Sequence, residues 1–336
     1  MNAEEPLDSK STEITPPPPP VMTDESTTAP PTLPESPTNA SRPPIHWGSR
    51  ILRFLLVLML AIVIAAMVVE MQTSWLQSWL FSRYAKSLTW QLKPGQSDKI
   101  SYPVTGPADQ RQGYALLTKL LPRLQERGFT VTEQVQFSPA LFDYAQLGFN
   151  VPYQEKTQSG INILDCSGTS FYQSQYPLFQ FPDYSAIAPL ILNSLLFIED
   201  RHLLDDTYPL NNPAVDWPRF VNASLSQLGK GIGIQDHGSG GSTLATQMEK
   251  FRHSPEGRTS SATNKLQQML SASVRAYQWG PLTLAARKQL ALTYLNSVPL
   301  AAAPGYGEVH GLGDGLRVWF AADPAEVVNS KDAHVR

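Results

Sequence analysis

Leu195-Leu196-Phe197-Ile198-Glu199-Asp200-Arg201-His202, running on to Asn212-Pro213-Ala214-Val215-Asp216, is the stretch on which the reading of this chain turns. Ile187, Leu190, Ile191, Leu195 and Ile198 recur near helical spacing, so one face of a helix is buried. The helix ends on a carboxylate, and Asp200, Arg201 and His202 follow at once. Glu199 thus sits where an apolar face meets a polar turn. A carboxylate there is partly desolvated, which favours it as a base. A helix end with ordinary surface charges has the same local pattern, so a second stretch has to separate the two readings.

That stretch is Gly240-Gly241-Ser242-Thr243-Leu244-Ala245-Thr246-Gln247-Met248-Glu249-Lys250. Gly-Gly before Ser-Thr predicts a helix N-cap, and the helix amides behind it favour an anion. No Gly-Lys-Ser/Thr follows, so this is not a nucleotide P-loop. Thr243, Gln247 and Lys250 are three or four residues apart and share one helix face, offering a hydroxyl, an amide and a cation. Arg258 follows on the next loop and Lys265 begins the next predicted helix. Lys250, Arg252, Arg258 and Lys265 together read as a basic pocket for a pyrophosphate. A solvated face with scattered charge is the bland alternative.

The totals narrow the class. With 336 residues the chain has room for one or two domains. A net charge of -3 argues against nucleic acid as a general partner. The lone cysteine, Cys166, excludes an internal disulfide and a cysteine-rich metal site. His202, Asp205, Asp206 and His237 match no zinc spacing, so no protein-held metal is expected.

Residues 1–49 are rich in Pro, Ser, Thr and Glu, with a run from Pro16 to Pro20. Such a tail buries too little apolar area to offset its chain entropy and is expected to be disordered, as a spacer or a ligand for proline-reading partners. Phe54 to Val69 is an unbroken apolar run, and residues 51–71 are expected to form one transmembrane helix. The long preceding tail and the absence of a small-residue cleavage site argue against a signal peptide. Arg42, Arg50 and Arg53 precede the span, while Arg83 and Lys86 follow it, which favours a cytoplasmic N-terminus. Trp75, Trp79, Phe81 and Tyr84 suit the outer interface.

Residues 95–165 read as a small α+β lead-in, with a helix over Tyr114–Glu126 capped by Gly128, and strands at Phe129–Phe137 and Ile161–Asp165. No chemistry is legible there. From about Ser185 to Phe320 the pattern predicts helices at Ala188–Asp200, Trp217–Leu228, Ser242–Phe251, Thr263–Tyr277 and Leu282–Asn296. Gly-rich loops are expected at Gly229–Gly241 and Gly305–Gly315.

Three ordered pieces of this chain resemble the peptidoglycan glycosyltransferases of family 51, the lipid II polymerases. They are Glu199-Asp200-Arg201 with Asp216 downstream, Gly241-Ser242-Thr243 with Gln247 and Lys250, and Tyr294-Leu295-Asn296. The likeness covers roughly Ile161 to Phe320. It implies a mainly α-helical, lysozyme-like catalytic domain over residues 166–325, on the periplasmic side of a bacterial cytoplasmic membrane with a single-pass anchor. It also implies a lipid-linked disaccharide-peptide substrate and other cell-wall synthesis proteins as partners. No organic cofactor is expected, and on general chemical grounds a divalent cation, Mg or Mn, could bridge the pyrophosphate. Carried over, Glu199 is the general base, and Ser242, Thr243, Gln247, Lys250, Arg258, Lys265 and Gln268 hold the substrates.

The sequence departs from the family pattern in places. The family's Arg-Lys-x-x-Glu appears as Asn264-Lys265-Leu266-Gln267-Gln268, so its second carboxylate is an amide. Leu292 stands where a glutamate is usual, and Ala245-Thr246 replaces Thr-Gln. Glu308 or Asp314 is a candidate substitute acid. No Ser-x-x-Lys occurs, so a transpeptidase centre is not expected in these residues. The alternative reading is a degenerate homologue that binds lipid-linked precursor or glycan without turnover. A different lipid-pyrophosphate sugar as substrate is a third.

Overall fold

The computed structural model describes residues 47–222 and 242–329. Most of the predicted Pro-rich tail, the end of the predicted Trp217–Leu228 helix, the Gly229–Gly241 loop and His237 lie outside the described residues. The chain divides into two units, Met1–Leu55 and Leu56–Arg336. What is described of the first unit is the start of helix α1 (Trp47–Thr73), whose side chains from Arg50 to Leu55 are exposed.

Within α1, Arg50–Thr73 is long and apolar enough to cross a membrane, with mean hydropathy 2.9. At about 1.5 Å per residue such a helix exceeds the roughly 30 Å of a bilayer's hydrocarbon. Ser74, at φ 52, separates α1 from α2 (Trp75–Ala85) and gives α2 no side-chain cap. The Glu70 carboxylate does so instead, accepting from the Leu76 and Gln77 amides at 2.7 and 2.9 Å. A negative group on these first-turn donors satisfies them and complements the helix dipole.

The lead-in pairs β1 (Trp90–Pro94) with β2 (Glu133–Phe137), antiparallel, around α3 (Pro107–Arg111) and α4 (Tyr114–Gln125). The sequence predicts a strand from Phe129, but the ladder begins at Glu133. Its partner runs out at Pro94, and a single further bond, from the Gly95 amide to Thr132 at 2.8 Å, ends the pairing. Helix α5 (Pro139–Gln146) follows, its Ser138 cap accepting from the Leu141 amide. Leu141, Tyr144, Ala85 and Leu88 form a core with Val274, so the lead-in and α2 pack on a later helix. A second ribbon, β3 (Ser159–Leu164) with β4 (Ser170–Tyr176), leads into the helical region.

That region consists of α6 (Pro189–Ile198), α7 (Leu244–His253), α8 (Ala262–Ala276), α9 (Leu284–Ser297), α10 (Gly311–Phe320) and α11 (Pro324–Asn329), with the ribbon β5 (Pro299–Ala303) and β6 (Gly307–His310). The protein is mainly helical. Leu203, Leu244, Met248, Ala291 and Tyr294 form a buried cluster, and Leu192, Leu195 and Leu196 of α6 pack against it. The face read from the sequence is only partly the buried one: Ile187, Ile191 and Leu195 are packed, but Leu190 and Ile198 are exposed, and Leu192 and Leu196 complete the contact that seats α6 on α7 and α9.

The expected Gly305–Gly315 loop is instead largely regular structure. Residues 307–310 are strand β6, and Gly311 begins α10. Close packing accounts for the glycines: a Cβ on Gly313 would lie 2.0 Å from the Phe179 ring, and one on Gly311 2.7 Å from the Asn296 carbonyl oxygen. Asp314 is buried at the centre of this contact and accepts from the Leu178 and Phe179 amides at 2.8 and 2.9 Å and from the Tyr306 hydroxyl at 2.6 Å.

Candidate active site

Glu199 is the C-cap of α6 and is half-buried. Its Oε2 accepts from Nε2 of Gln247, one turn into α7, at 2.9 Å. Its backbone carbonyl accepts from Arg219 Nη1 at 3.2 Å. Asp216 holds Arg219 in an ion pair at 3.1 Å and accepts from the Arg219 amide, so it starts the next helical turn. The Tyr294 hydroxyl is pushed up to about 12 by burial and by the charge of Glu199. Burial also raises the neighbouring Asp200 carboxyl, with Arg219 opposing. The loop beyond is held by the buried Arg287, whose guanidinium donates to the carbonyls of Leu203, Asp205 and Tyr208 at 3.0, 2.7 and 3.2 Å.

Helix α7 carries the second half of the site. Thr243 is its N-cap, as the sequence predicts, with its hydroxyl accepting from the Thr246 amide at 3.3 Å. Lys265 of α8 reaches back to this turn and donates to Ser242 Oγ at 2.7 Å and Thr246 Oγ1 at 3.4 Å. Burial lowers the Lys265 pKa, and the charge of Lys250 lowers it further. Among the described residues neither lysine has a carboxylate ion-pair partner. Lys265, beside the α7 N-terminus, is destabilised by the like charge of Lys250 in that helix's last turn, and such an ammonium gains when an anion enters.

The structure thus brings together Glu199 and Gln247, and Ser242 and Lys265, with Thr243 at the root of the same helix and Lys250 in its last turn, where its charge is felt by Lys265. It does not bring the other two sequence-named residues to Glu199. Arg258 is exposed on the loop after α7. Gln268 is buried beneath that loop: its amide donates to Ser254 Oγ at 2.8 Å and Thr259 Oγ1 at 3.0 Å. Gln268 anchors the segment that carries Arg258. Arg252, read from the sequence as part of the basic pocket, points elsewhere and pairs with Glu155. Neither candidate substitute acid meets Gln268. Asp314 is consumed as described, and Glu308 pairs with Arg111 and His310.

Reasoning from sequence missed a buried charge cluster behind α7. Glu155 of the lead-in accepts from Arg252 and pairs with His253 at 2.7 Å and Arg275 at 3.0 Å. His253 also meets Asp109 at 3.0 Å, and Arg275 meets Glu249 at 2.7 Å. Burial opposes charge on Glu155, yet His253, Arg275 and Arg252 hold it well below the usual carboxylate range. Burial likewise opposes charge on His253, but Glu155 and Asp109 push it up to about 10. Tyr153-Gln154-Glu155-Lys156 has no periodicity or motif, so only the fold reveals this cluster. Among the described residues no three His, Cys, Asp or Glu side chains could jointly hold a metal ion.

The helical domain thus carries a carboxylate held by Gln247 and two lysines that have no carboxylate partner among the described residues. The family model described as transglycosylase matches residues 168–335, half of the chain. The protein belongs to the transglycosylase family, and its domain is that of a glycosyltransferase-like enzyme. No curated protein matches the chain.

Proposed function

We propose that this protein is a membrane-anchored peptidoglycan glycosyltransferase, with a lysozyme-like catalytic domain, that polymerises lipid II into β-1,4 glycan strands. The observation that carries this is the wiring of α7: one helix face bonds Glu199 through Gln247 and, a turn further on, carries Lys250, whose charge acts on Lys265. In this reading Glu199 takes the proton from the acceptor sugar's 4-hydroxyl. The oxygen attacks the anomeric carbon of the lipid-linked chain from the opposite face, the bond to the pyrophosphate breaks, and configuration inverts. The pyrophosphate leaves with the bonding electrons, and Lys250 and Lys265 stabilise the charge it gains. Ser242 and Thr243 position the substrates from the helix N-terminus.

A pyrophosphate departs without a proton, so a general acid matters less than in glycoside hydrolysis. Loss of the family's second carboxylate at Gln268 is therefore compatible with turnover. The groups around Lys265 do not favour a protein-held divalent cation. The oxygens beside Lys265 are neutral hydroxyls of Ser242 and Thr246, and two ammonium groups repel a dication. Any such ion would be bound through substrate phosphates.

The apolar segment of α1 is read as a single anchor in a bacterial cytoplasmic membrane, with the catalytic domain on the periplasmic side. The exposed Trp75 and Trp79 at the start of α2 suit the interface there. Glu199→Gln should abolish lipid II polymerisation while leaving lipid II binding and thermal stability intact, since a positioned base supplies roughly 10²–10⁴ in rate. Undiminished polymer from that variant would overturn the mechanism. A second reading, precursor binding without turnover, draws on Gln268 being spent on Ser254 and Thr259. Labelled lipid II retained by the wild-type protein but never polymerised, across a range of divalent ions, would favour it.

A further inference from the structure

A cavity of about 820 Å³ opens behind α7, walled by residues 153–158 of the lead-in and by α8 and α9. Its α7 wall is Ala245, Met248, Glu249 and Arg252. At 3.6 residues per turn these lie on the side opposite Gln247 and Lys250, so the cavity is not the groove of the proposed chemistry. Its size is that of a small-ligand site, roughly 300–1,000 Å³.

The lining says what it would take. Its buried charges are already matched: Glu155 is paired with Arg252 and Arg275, and Glu249 with Arg275, while the other lining charge, Lys156, is exposed to solvent and has no ion pair among the described residues. A strongly charged ligand would therefore meet no free buried counter-charge, only the solvated ammonium of Lys156. Gln154 and Gln278 line the wall with no side-chain hydrogen bond among the described residues, and Gln289 with Thr293 adds a further amide and hydroxyl. A purely apolar ligand would desolvate these groups without replacing their bonds. Trp279 at the rim is 80% exposed, so its indole serves no packing purpose in the fold. Arg252, which lines the cavity, keeps its Nε buried with no hydrogen-bond partner among the described residues.

Planar amides, a bare indole face, an apolar helix wall and buried charges that are already paired match a ligand that alternates hydroxyl groups with C–H faces. We propose that this cavity is a second binding site, for a short neutral oligosaccharide that stacks on Trp279 and bonds to Gln154 and Gln278. That its source is the growing cell-wall strand rests on the function proposed above; the sugar chemistry of the cavity does not. Since Arg252 and Glu249 line the cavity and sit on α7, a bound glycan would touch the helix that carries Gln247 from behind.

The test is titration of the full chain in detergent with chitotetraose, followed by calorimetry and saturation-transfer NMR, in wild type and in Glu199→Gln. Binding is expected in both. Trp279→Ala and Gln278→Ala should each weaken it roughly ten-fold, the effect of losing one stacking face or one amide contact. Trp279 is exposed, so its variant is expected to fold normally, and its melting point serves as the control. No binding at millimolar chitotetraose, or binding indifferent to both substitutions, would overturn the assignment. Lipid II polymerisation is measured separately, so a failure of the catalytic reading leaves this result standing.

Discussion

Glu155→Gln is the substitution that probes the fold most sharply. The carboxylate is 6% exposed and divides its oxygens between three cations: Oε1 serves His253 and Arg275, and Oε2 serves Arg252. A glutamine keeps the shape but must turn an NH₂ toward one of these donors. It also leaves Arg252, His253 and Arg275 to share Asp109 and Glu249. Breaking a buried, hydrogen-bonded ion cluster by removing one partner costs roughly 3–5 kcal/mol. At a few degrees per kcal/mol for a domain of this kind, melting should fall by on the order of 10 °C.

The pH dependence makes the prediction specific. His253 is raised from its ordinary 6.5 to about 10. Its stabilisation is therefore complete below pH 6.5 and is lost as pH rises toward 10. Glu155 is lowered below its ordinary 4.5, so its stabilisation is present above that value and is lost as pH falls. Wild type should be most stable between these limits. In the variant His253 loses its strongest attraction, and its pKa should drop toward neutrality. The gap between the two melting curves should then narrow from pH 6.5 to 10 as wild type loses what the variant already lacks. Thermal unfolding in detergent across that range, with the His253 titration followed by NMR, reads both effects. A melting change under about 2 °C, or a His253 in the variant still protonated at pH 9, would refute the reasoning.

Three other outcomes follow from the geometry. Gln247→Ala removes the donor on Glu199 Oε2, and a hydrogen bond to a charged group is worth roughly 1.5–3 kcal/mol, so kcat for lipid II polymerisation should fall about ten- to a hundred-fold with little change in KM. Because burial and Lys250 both lower the Lys265 pKa, inorganic pyrophosphate binding should weaken with rising pH earlier than an ordinary lysine allows, and Lys250→Met should move that decline to higher pH in titration calorimetry. Gly313→Ala forces a methyl into the Phe179 ring and should cost about 1–3 kcal/mol in denaturant unfolding, without altering pyrophosphate affinity.

How much of this was legible beforehand differs from element to element, for physical reasons. Helices α6, α7 and α8 declared themselves through apolar spacing and the Ser-Thr cap, because those signals are local. The proximity of Glu199 to Gln247 was readable only through the family resemblance, since 48 residues separate them in sequence. The Gly305–Gly315 segment misled because glycine is a sign of turns and also of close contact; with Phe179 far upstream, only the packing tells which applies. Glu155, Arg252 and His253 carried no signal of burial. Single charged residues are ordinarily solvated, and their partners come from distant parts of the chain. Gln268 shows the converse: it occupies a family position, yet its bonds are spent on Ser254 and Thr259.

Helix α7 ties these observations together. One side of it carries the amide and the ammonium that face the proposed chemistry, where an error of position of about 1 Å can cost roughly a hundred-fold in rate. The other side has no freedom to drift. Glu249, Arg252 and His253 are buried and paired with Asp109, Glu155 and Arg275. Thr105 Oγ1 also donates to the His253 carbonyl at 2.8 Å. Hydrophobic contacts are non-directional and would permit α7 to rotate or slide. Directed ionic hydrogen bonds fix both its rotation and its register. Expensive charges behind the helix are therefore the physical means by which a lead-in with no chemistry of its own can hold Gln247 and Lys250 in place.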